Sequence, residues 1–358
     1  MLQGSVQNKD FPLNLADLSS KLDALDRQLL ELLTQRCELM RQTDSPSVPR
    51  AESSALSSLP STVDRAAAAQ WLRHASSIAF IDAHRQRVAY LGPEYSYSHL
   101  ATIKVFGAAY PMAAVASISA VFDAIVRQDA MLGVVPIENS TDGRVVDTLG
   151  MFVRVSVKVC GEVLLPIHHN LLSRSSRESI TEVYSKPQAL SQCRGWLASH
   201  LPKARLIEIS STAAAAELAA NKAGAAAVAS IEAGCQYGLN VIDASIEDNP
   251  NNVTRFAILG RNSSPPTGND KTALLFQVAH RPGALADAML IFKQAGLNLT
   301  WIESFPVPGI NSEYLFFIET VGHESDPKVA QALEQLRAIT IRLDVMGSYP
   351  KAAAISGA

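Results

Sequence analysis

The chain has 358 residues, 47% of them apolar, 6% aromatic and 18% charged, with a formal net charge of −3. This length exceeds one ordinary core and predicts two or three domains of a soluble, Ala-rich protein. The slight acidity, without a basic stripe, argues against a nucleic-acid partner, and no apolar run reaches the length of a membrane span.

In chain order, the opening MLQGSVQNKD lacks the basic-then-apolar pattern of a secretory signal, so a cytoplasmic protein is expected. Leu15, Leu18, Leu22, Leu25, Leu29 and Leu32 recur at three- and four-residue steps, with Leu39 seven residues on, which predicts one long helix with an apolar stripe. Asn14 is its expected N-cap, with Asp17 near the positive end of the helix dipole. Thr43 to Val63 is Ser/Pro-rich and reads as a linker. A second helical pattern from Asp64 to Ile81 can pack on the first.

From Arg87 the texture changes. VAYLG, LGVVPIE, SVKVCGEVLL, ITEVYS, RLIEIS, AAAVAS and VTRFAILG read as strands, separated by the helical stretches SISAVFDAIVRQ, PQALSQCRGWLASH and STAAAAELAANKAG. That alternation predicts α/β layers with largely parallel sheets and a ligand site at the strand ends. The loop GRNSSPPTGND then breaks the pattern, and the remainder reads β-α-β-β-α-β, the ferredoxin-like arrangement. The boundaries that follow are 1–85 for the helical segment, 86–265 for the α/β domain and 270–350 for the last domain.

Two features ask for chemistry. In IEDNPNNVTRFAILG, Thr254 and Arg255 stand at the mouth of a strand that follows an amide-rich turn, and a guanidinium is rarely buried without an anionic partner. Arg255 has two readings here: it serves a site, or it pairs with Glu247 or Asp248 to pin the turn. His168 and His169 invite a metal, but adjacent strand residues face opposite sides and no third ligand is in view, so structural roles are expected and metal binding is not. The four cysteines, Cys37, Cys160, Cys193 and Cys235, are far apart and read as free thiols.

YLGPEYSYSHLAT, GVVPIENSTDG, LPIHHNLLS, VYSKPQALSQC, SSTAAAA and NNVTRFAILG together, in this order, resemble the prephenate dehydratases of phenylalanine biosynthesis. The C-terminal segment resembles the phenylalanine-sensing ACT domain of the same family. The resemblance runs from Arg87 to Pro350. It implies two lobes like those of periplasmic binding proteins, with prephenate in the cleft between them and no cofactor. The reaction would be a decarboxylating dehydration to phenylpyruvate, in which aromatisation supplies the driving force. The protein then has to bind anions, orient the ring and assist the departing hydroxyl.

The matching motifs place Thr254, Arg255 and Phe256 at the reacting centre. The resemblance implies Thr254 as hydrogen-bond donor to the leaving oxygen, Arg255 as a two-pronged carboxylate clamp and Phe256 as packing beneath. Glu138, Asn139, Ser140 and Thr141 match the substrate loop, and Ser185 and Gln192 match a second binding motif. Ser211 and Thr212 open an Ala-rich helix whose N–H groups favour a carboxylate, although Ser211-Thr212 also reads as a plain N-cap and Glu138 as a helix-capping carboxylate. The effector site is expected at Gly283, Ala284, Leu285, Glu303 and Ser304, with L-phenylalanine as effector and a homodimer or homotetramer formed through the regulatory domains.

The chain departs from the family in places. SKLDALDRQLLELLTQRCELM resembles the long first helix of a chorismate mutase. Arg36 matches one of that site's cations, but Ser19 falls where an arginine is expected and Ser47 near an expected lysine. Two missing cations cost several kcal/mol at a dicarboxylate site, so a mutase-like remnant without useful activity is expected. Phe305 replaces the usual arginine after Glu303-Ser304, Tyr95 stands where glycine is usual and Lys186 where histidine is usual. Two rival functions remain: arogenate dehydratase, and a non-catalytic amino-acid sensor.

Overall fold

The computed structural model describes residues 15–42, 56, 58–60, 62–84, 87–306 and 314–353. Asn14, the predicted cap, Ser47 and most of the Ser/Pro-rich stretch lie outside the described residues. The leucine spacing produces helix α1 (Leu15–Arg41), followed by α2 (Arg65–His84). The stripe on α1 is not covered: Leu18, Leu22, Leu25, Leu29, Leu32 and Leu39 are exposed. Arg36 Nη2 reaches α2 and donates to Ser76 Oγ at 2.6 Å.

The first lobe follows, with β1 (Val88–Leu91), α3 (Tyr97–Phe106), β2 (Met112–Val115), α4 (Ile118–Val126), β3 (Leu132–Asn139), β4 (Gly143–Arg144), α5 (Val146–Arg154) and β5 (Lys158–Pro166). Ser117 caps α4 by accepting from Ala120 N, and Ile118, Val121, Phe122 and Ile125 at helical spacing are its buried face.

The second lobe holds β6 (Asn170–Ser173), β7 (Glu182–Ser185), α6 (Pro187–Gln192), α7 (Arg194–His200), β8 (Arg205–Glu208), α8 (Thr212–Ala220), β9 (Ala225–Ala229), α9 (Ile231–Tyr237) and β10 (Asn240–Asp243), with sheet order β10-β6-β9-β7-β8. Alanines dominate the contact of α8 with β9, where Ala215, Ala216, Ala219, Ala225, Ala227 and Ala229 share one buried cluster. The stretch expected as one helix after Ser185 breaks at Cys193 into α6 and α7. The break gives α7 its own N-terminus, where Asp248 accepts from Gly195 N at 2.9 Å and Trp196 N at 3.1 Å.

The chain then returns to the first lobe as β11 (Val253–Gly260), antiparallel between β3 and β5, completing the order β2-β1-β3-β11-β5 with β4 paired to β3. Both large sheets are therefore mixed rather than largely parallel: β1, β2 and β3 run parallel, as do β7, β8 and β9, while β11 and β6, the first strands after the crossings, run against them. The two crossings are bonded to each other, Ile167 N to Asn252 O at 2.8 Å and Ile246 N to His169 O at 2.7 Å.

The last domain has β12 (Asp270–Val278), α10 (Ala284–Ala295), β13 (Leu299–Pro306), β14 (Tyr314–Val321), α11 (Pro327–Ile339) and β15 (Thr340–Pro350), in the sheet order β13-β14-β12-β15. Strand alternation divides its residues. Leu274, Phe276 and Ile318 pack on the two helices, while Ala273, Leu275, Leu315 and Phe317 join the first lobe's core with Phe152 and Leu149. At Gly347 (φ +134°) β15 passes so close to β5 that a Cβ would lie 2.2 Å from Val159 O, so a side chain is excluded there.

Candidate active site

Thr254 and Arg255 are consecutive strand residues and serve opposite sides of the sheet. Thr254 Oγ1 accepts from Asn139 Nδ2 at 2.8 Å. The Asn139 amide cannot rotate away, because its Oδ1 accepts from Thr141 N (2.9 Å) and Asp142 N (3.0 Å) in the turn after β3. Its Nδ2 also donates to Asn252 Oδ1 at 2.9 Å. Held as an acceptor, the Thr254 hydroxyl has no acceptor for its own proton among the described residues.

The network continues across the lobes. Asn252 Nδ2 donates to Gln192 Oε1 at 2.9 Å, and Gln192 Nε2 returns to Asp142 Oδ2 at 2.8 Å. His169 Nε2 lies 3.0 Å from Gln192 Oε1, so this nitrogen carries the proton, and Nδ1 lies 3.0 Å from Tyr97 Oη, a phenol that donates to His168 O at 2.8 Å. Burial holds the His169 imidazole below its usual range, against the opposing pull of Gln192 and Glu247, and burial pushes the Tyr97 phenol well up. Ser140 pins the turn by accepting from Val253 N at 2.9 Å, and Thr141 Oγ1 bonds Asn252 Oδ1 at 3.4 Å. Thus Asn139, Ser140, Thr141, Gln192 and Thr254 come together, joined by Tyr97, Asp142, His169 and Asn252, which the sequence did not single out as site residues.

Other expected residues lie elsewhere. Ser185 is fully buried and donates to Val228 O at 2.6 Å inside the second lobe. Ser211 is the N-cap of α8, accepting from Ala214 N, and Thr212 is buried behind it. Phe256 packs in the core with Tyr90, Val134 and Val163. Tyr95 holds a left-handed backbone (φ +61°), which explains why glycine suits this position, and packs against the second lobe's cluster around Tyr184. Among the described residues no group of three or more His, Cys, Asp or Glu is placed to hold a metal.

The reading of Arg255 as a carboxylate clamp in the cleft does not fit its position, and neither does pairing with Glu247 or Asp248. Glu247 instead accepts from His168 Nδ1 (2.8 Å) and His169 N (2.9 Å), and Asp248 caps α7. The guanidinium is buried on the opposite side of the sheet. It donates through Nε to Glu138 (3.0 Å) and through Nη1 to Glu162 (3.2 Å) and to both oxygens of Glu319 (2.6 and 2.8 Å). Lys271 Nζ lies 3.1 Å from Glu162, Tyr349 Oη donates to Glu319 at 2.8 Å, and the Trp301 ring centre is 4.7 Å from the Arg255 Cζ. Burial alone would raise the Glu162 carboxyl, but Lys271 and Arg255 outweigh it and hold it below its usual value. Glu138, expected at the substrate, is thereby tied to Arg255.

In the last domain, Gly283 (φ +81°) makes the left-handed turn into α10, and Ala284 and Leu285 line a shallow pocket of about 150 Å³ with Val278, His280, Arg281, Tyr314 and Phe316. Glu303 is not in it: its carboxylate takes Arg144 Nη1 of β4 at 2.7 Å. Ser304 is exposed on the other side of β13, and Phe305 packs near Gly150 of α5.

Residues 88–264 match the family model for prephenate dehydratase, and residues 272–338 match that for the ACT domain. A bifunctional chorismate mutase/prephenate dehydratase of Stutzerimonas stutzeri is 36% identical over 357 residues, covering 94% of this chain and 98% of its own. The chain belongs to the prephenate dehydratase family. A crystal structure of prephenate dehydratase from Arthrobacter aurescens in complex with L-Phe is 33% identical, with a TM-score of 0.69 over 74% of this chain and 90% of that one. A structure described as GqqA, a novel type of quorum quenching acylase, is 29% identical, with a TM-score of 0.68 over 75% and 98%. The expectation of a mutase remnant without activity is overturned by the Stutzerimonas relative, which is bifunctional and aligns through the N-terminal helices. Among the described residues no helix is long and apolar enough to cross a membrane.

Proposed function

We propose that the chain converts prephenate to phenylpyruvate in the cleft between its two lobes, feeding phenylalanine biosynthesis. The observation that carries the reading is the Thr254 hydroxyl, held as an acceptor by Asn139, which leaves its own proton to be donated to a ligand. In the reaction the bond from the ring to its carboxyl group breaks and releases carbon dioxide. The electron pair enters the ring, the opposite carbon–oxygen bond breaks, and the oxygen leaves as water once protonated. Thr254 stabilises negative charge on that oxygen as it departs. Gln192, Ser140 and Thr141 shape the substrate turn from both lobes. We place the catalytic domain at 86–265, the helical segment at 1–85 and the regulatory domain at 270–350, in a cytoplasmic homo-oligomer.

Phenylpyruvate formation by the wild type and by Thr254→Ala tests this reading. An inert wild type that still binds prephenate would replace it with the sensor, and faster turnover of arogenate would replace the substrate. Acyl hydrolysis, the activity named for GqqA, is disfavoured because Thr254 Oγ1 bonds Asn139 and, among the described residues, no histidine or carboxylate hydrogen-bonds it. L-phenylalanine is the proposed effector, at the pocket beside Gly283, supported by the L-Phe complex of the Arthrobacter relative. Heat-silent calorimetry at millimolar ligand would remove it. For α1 and α2 we propose chorismate mutase activity, supported by the bifunctional relatives and by Arg36. A mutase assay on the purified chain checks it, and no turnover would refute it.

A further inference from the structure

We infer that two acidic residues of the ACT domain, Glu319 and Glu303, are positioning residues for the reaction, holding Thr254 and Asn139 in register from behind the sheet. The inference rests on the proposed dehydratase reading and adds residues from a second domain to it.

The argument starts from a weakness in the strand ladder. β11 pairs with β3 as Thr254 to Asn139 and Arg255 to Glu138, and then slips, so that Phe256 faces Pro136 and Ile137 is passed over. Pro136 has no N–H to donate, and the Ile137 carbonyl is taken by Val145 N at 2.9 Å. A bulge of this kind loosens backbone pairing beside the residue it re-aims. β5 pairs with β11 in register from Val253 to Ile258, so it is on the β3 side, where Thr254 meets Asn139, that the geometry depends on what holds the neighbouring residues.

Arg255 is held by Glu162 of β5 and by both carboxylate oxygens of Glu319 on β14. Glu319 is itself fixed by Tyr349 of β15 and lies 3.6 Å from Lys271 of β12. The second tie reaches the other half of the pair. Glu303 on β13 bonds Arg144 on β4, whose neighbour Gly143 pairs with Asn139. The turn between them supplies the two N–H groups that lock the Asn139 amide. One regulatory sheet thus grips each partner of the 2.8 Å bond between Asn139 and Thr254. A rotation of that sheet would change the bond without any effector reaching the cleft.

The test uses the full chain with Glu319→Gln, Glu319→Asp and Glu303→Gln. We expect Glu319→Gln to lower kcat for phenylpyruvate formation by about ten- to a hundredfold, the scale of a sub-ångström to 1 Å misplacement. KM should stay within about twofold, with partial recovery in Glu319→Asp. Glu303→Gln, at a partly exposed pair that folding tolerates, should lower kcat by about threefold. Hydrogen exchange read by mass spectrometry on the peptides spanning Val253–Gly260 and Asn139–Val145 should quicken in the same variants. Folded variants with wild-type kcat, or with a lowered melting temperature alone, overturn the inference. Should the wild type make no phenylpyruvate, the dehydratase reading fails on that arm. The exchange arm then still decides the coupling, and unchanged protection of β11 in Glu319→Gln rejects it.

Discussion

Thr254 and Arg255 share a peptide bond yet work in contrasting surroundings. On one side of the sheet, Thr254 belongs to a chain of amides, hydroxyls and an imidazole, with Asp142 at its margin. On the other side, Arg255 and Lys271 face Glu138, Glu162 and Glu319. Neutral, directional bonds fix geometry without repelling a doubly anionic substrate. The charged cluster does the opposite: its strength comes from burial, and its three carboxylates would oppose an anionic ligand on the Thr254 side. The sheet keeps the two kinds of electrostatics apart while one strand joins them.

The comparison breaks most severely at Arg255. Arg255→Met leaves Glu162 and Glu319 buried with Lys271 alone, and should destabilise the protein by about 3–5 kcal/mol in urea denaturation. Thr254→Ala touches only the neutral side. It should lower kcat by about 10²- to 10³-fold with little change in stability, and Thr254→Ser should recover part of the rate. Gln192→Ala cuts the bridge between lobes and should raise KM about tenfold, read from initial rates. Acid sharpens the contrast, because Glu162 is held below its usual 4.5 in the folded state. Its contribution to stability is complete above that value and is lost as pH falls through the lower folded value, so urea midpoints should drop in that window. Arg144→Ala, at the partly exposed pair, should change stability by at most about 0.5 kcal/mol.

Periodicity was enough for α1 and for most strands, because leucine spacing and β-branched runs state local geometry directly. Short elements such as β2, β6 and β10 escaped, whereas the equally short β1, β7 and β8 were read, from VAYLG, ITEVYS and RLIEIS. The break between α6 and α7 was invisible because its cause, Asp248, lies far away in sequence. In the candidate site, the turn after β3 and Thr254 stood out as motifs. Arg255 was misread because its partners Glu162 and Glu319 are strand residues, 93 and 64 positions distant, with no local mark of their meeting. The acid in FFIET, an ionisable group within an apolar strand, was the signal that pointed to a buried partner. Glu303 likewise sits in a motif suggestive of an effector, and strand alternation turned it toward β4.

The placement of β11 bears on how the molecule comes to be made. Thr254 meets Asn139 at a sequence separation of 115, and the strand that carries it is inserted between β3 and β5, neither of which is its neighbour in sequence. On the ribosome the first lobe emerges with a gap at its centre, which is filled only after the whole second lobe has been synthesised. High contact order at this one strand makes its insertion a late, slow event. The pair of Thr254 and Asn139 is therefore among the last parts of the two lobes to form, and a chain that stalls early exposes an unfilled sheet.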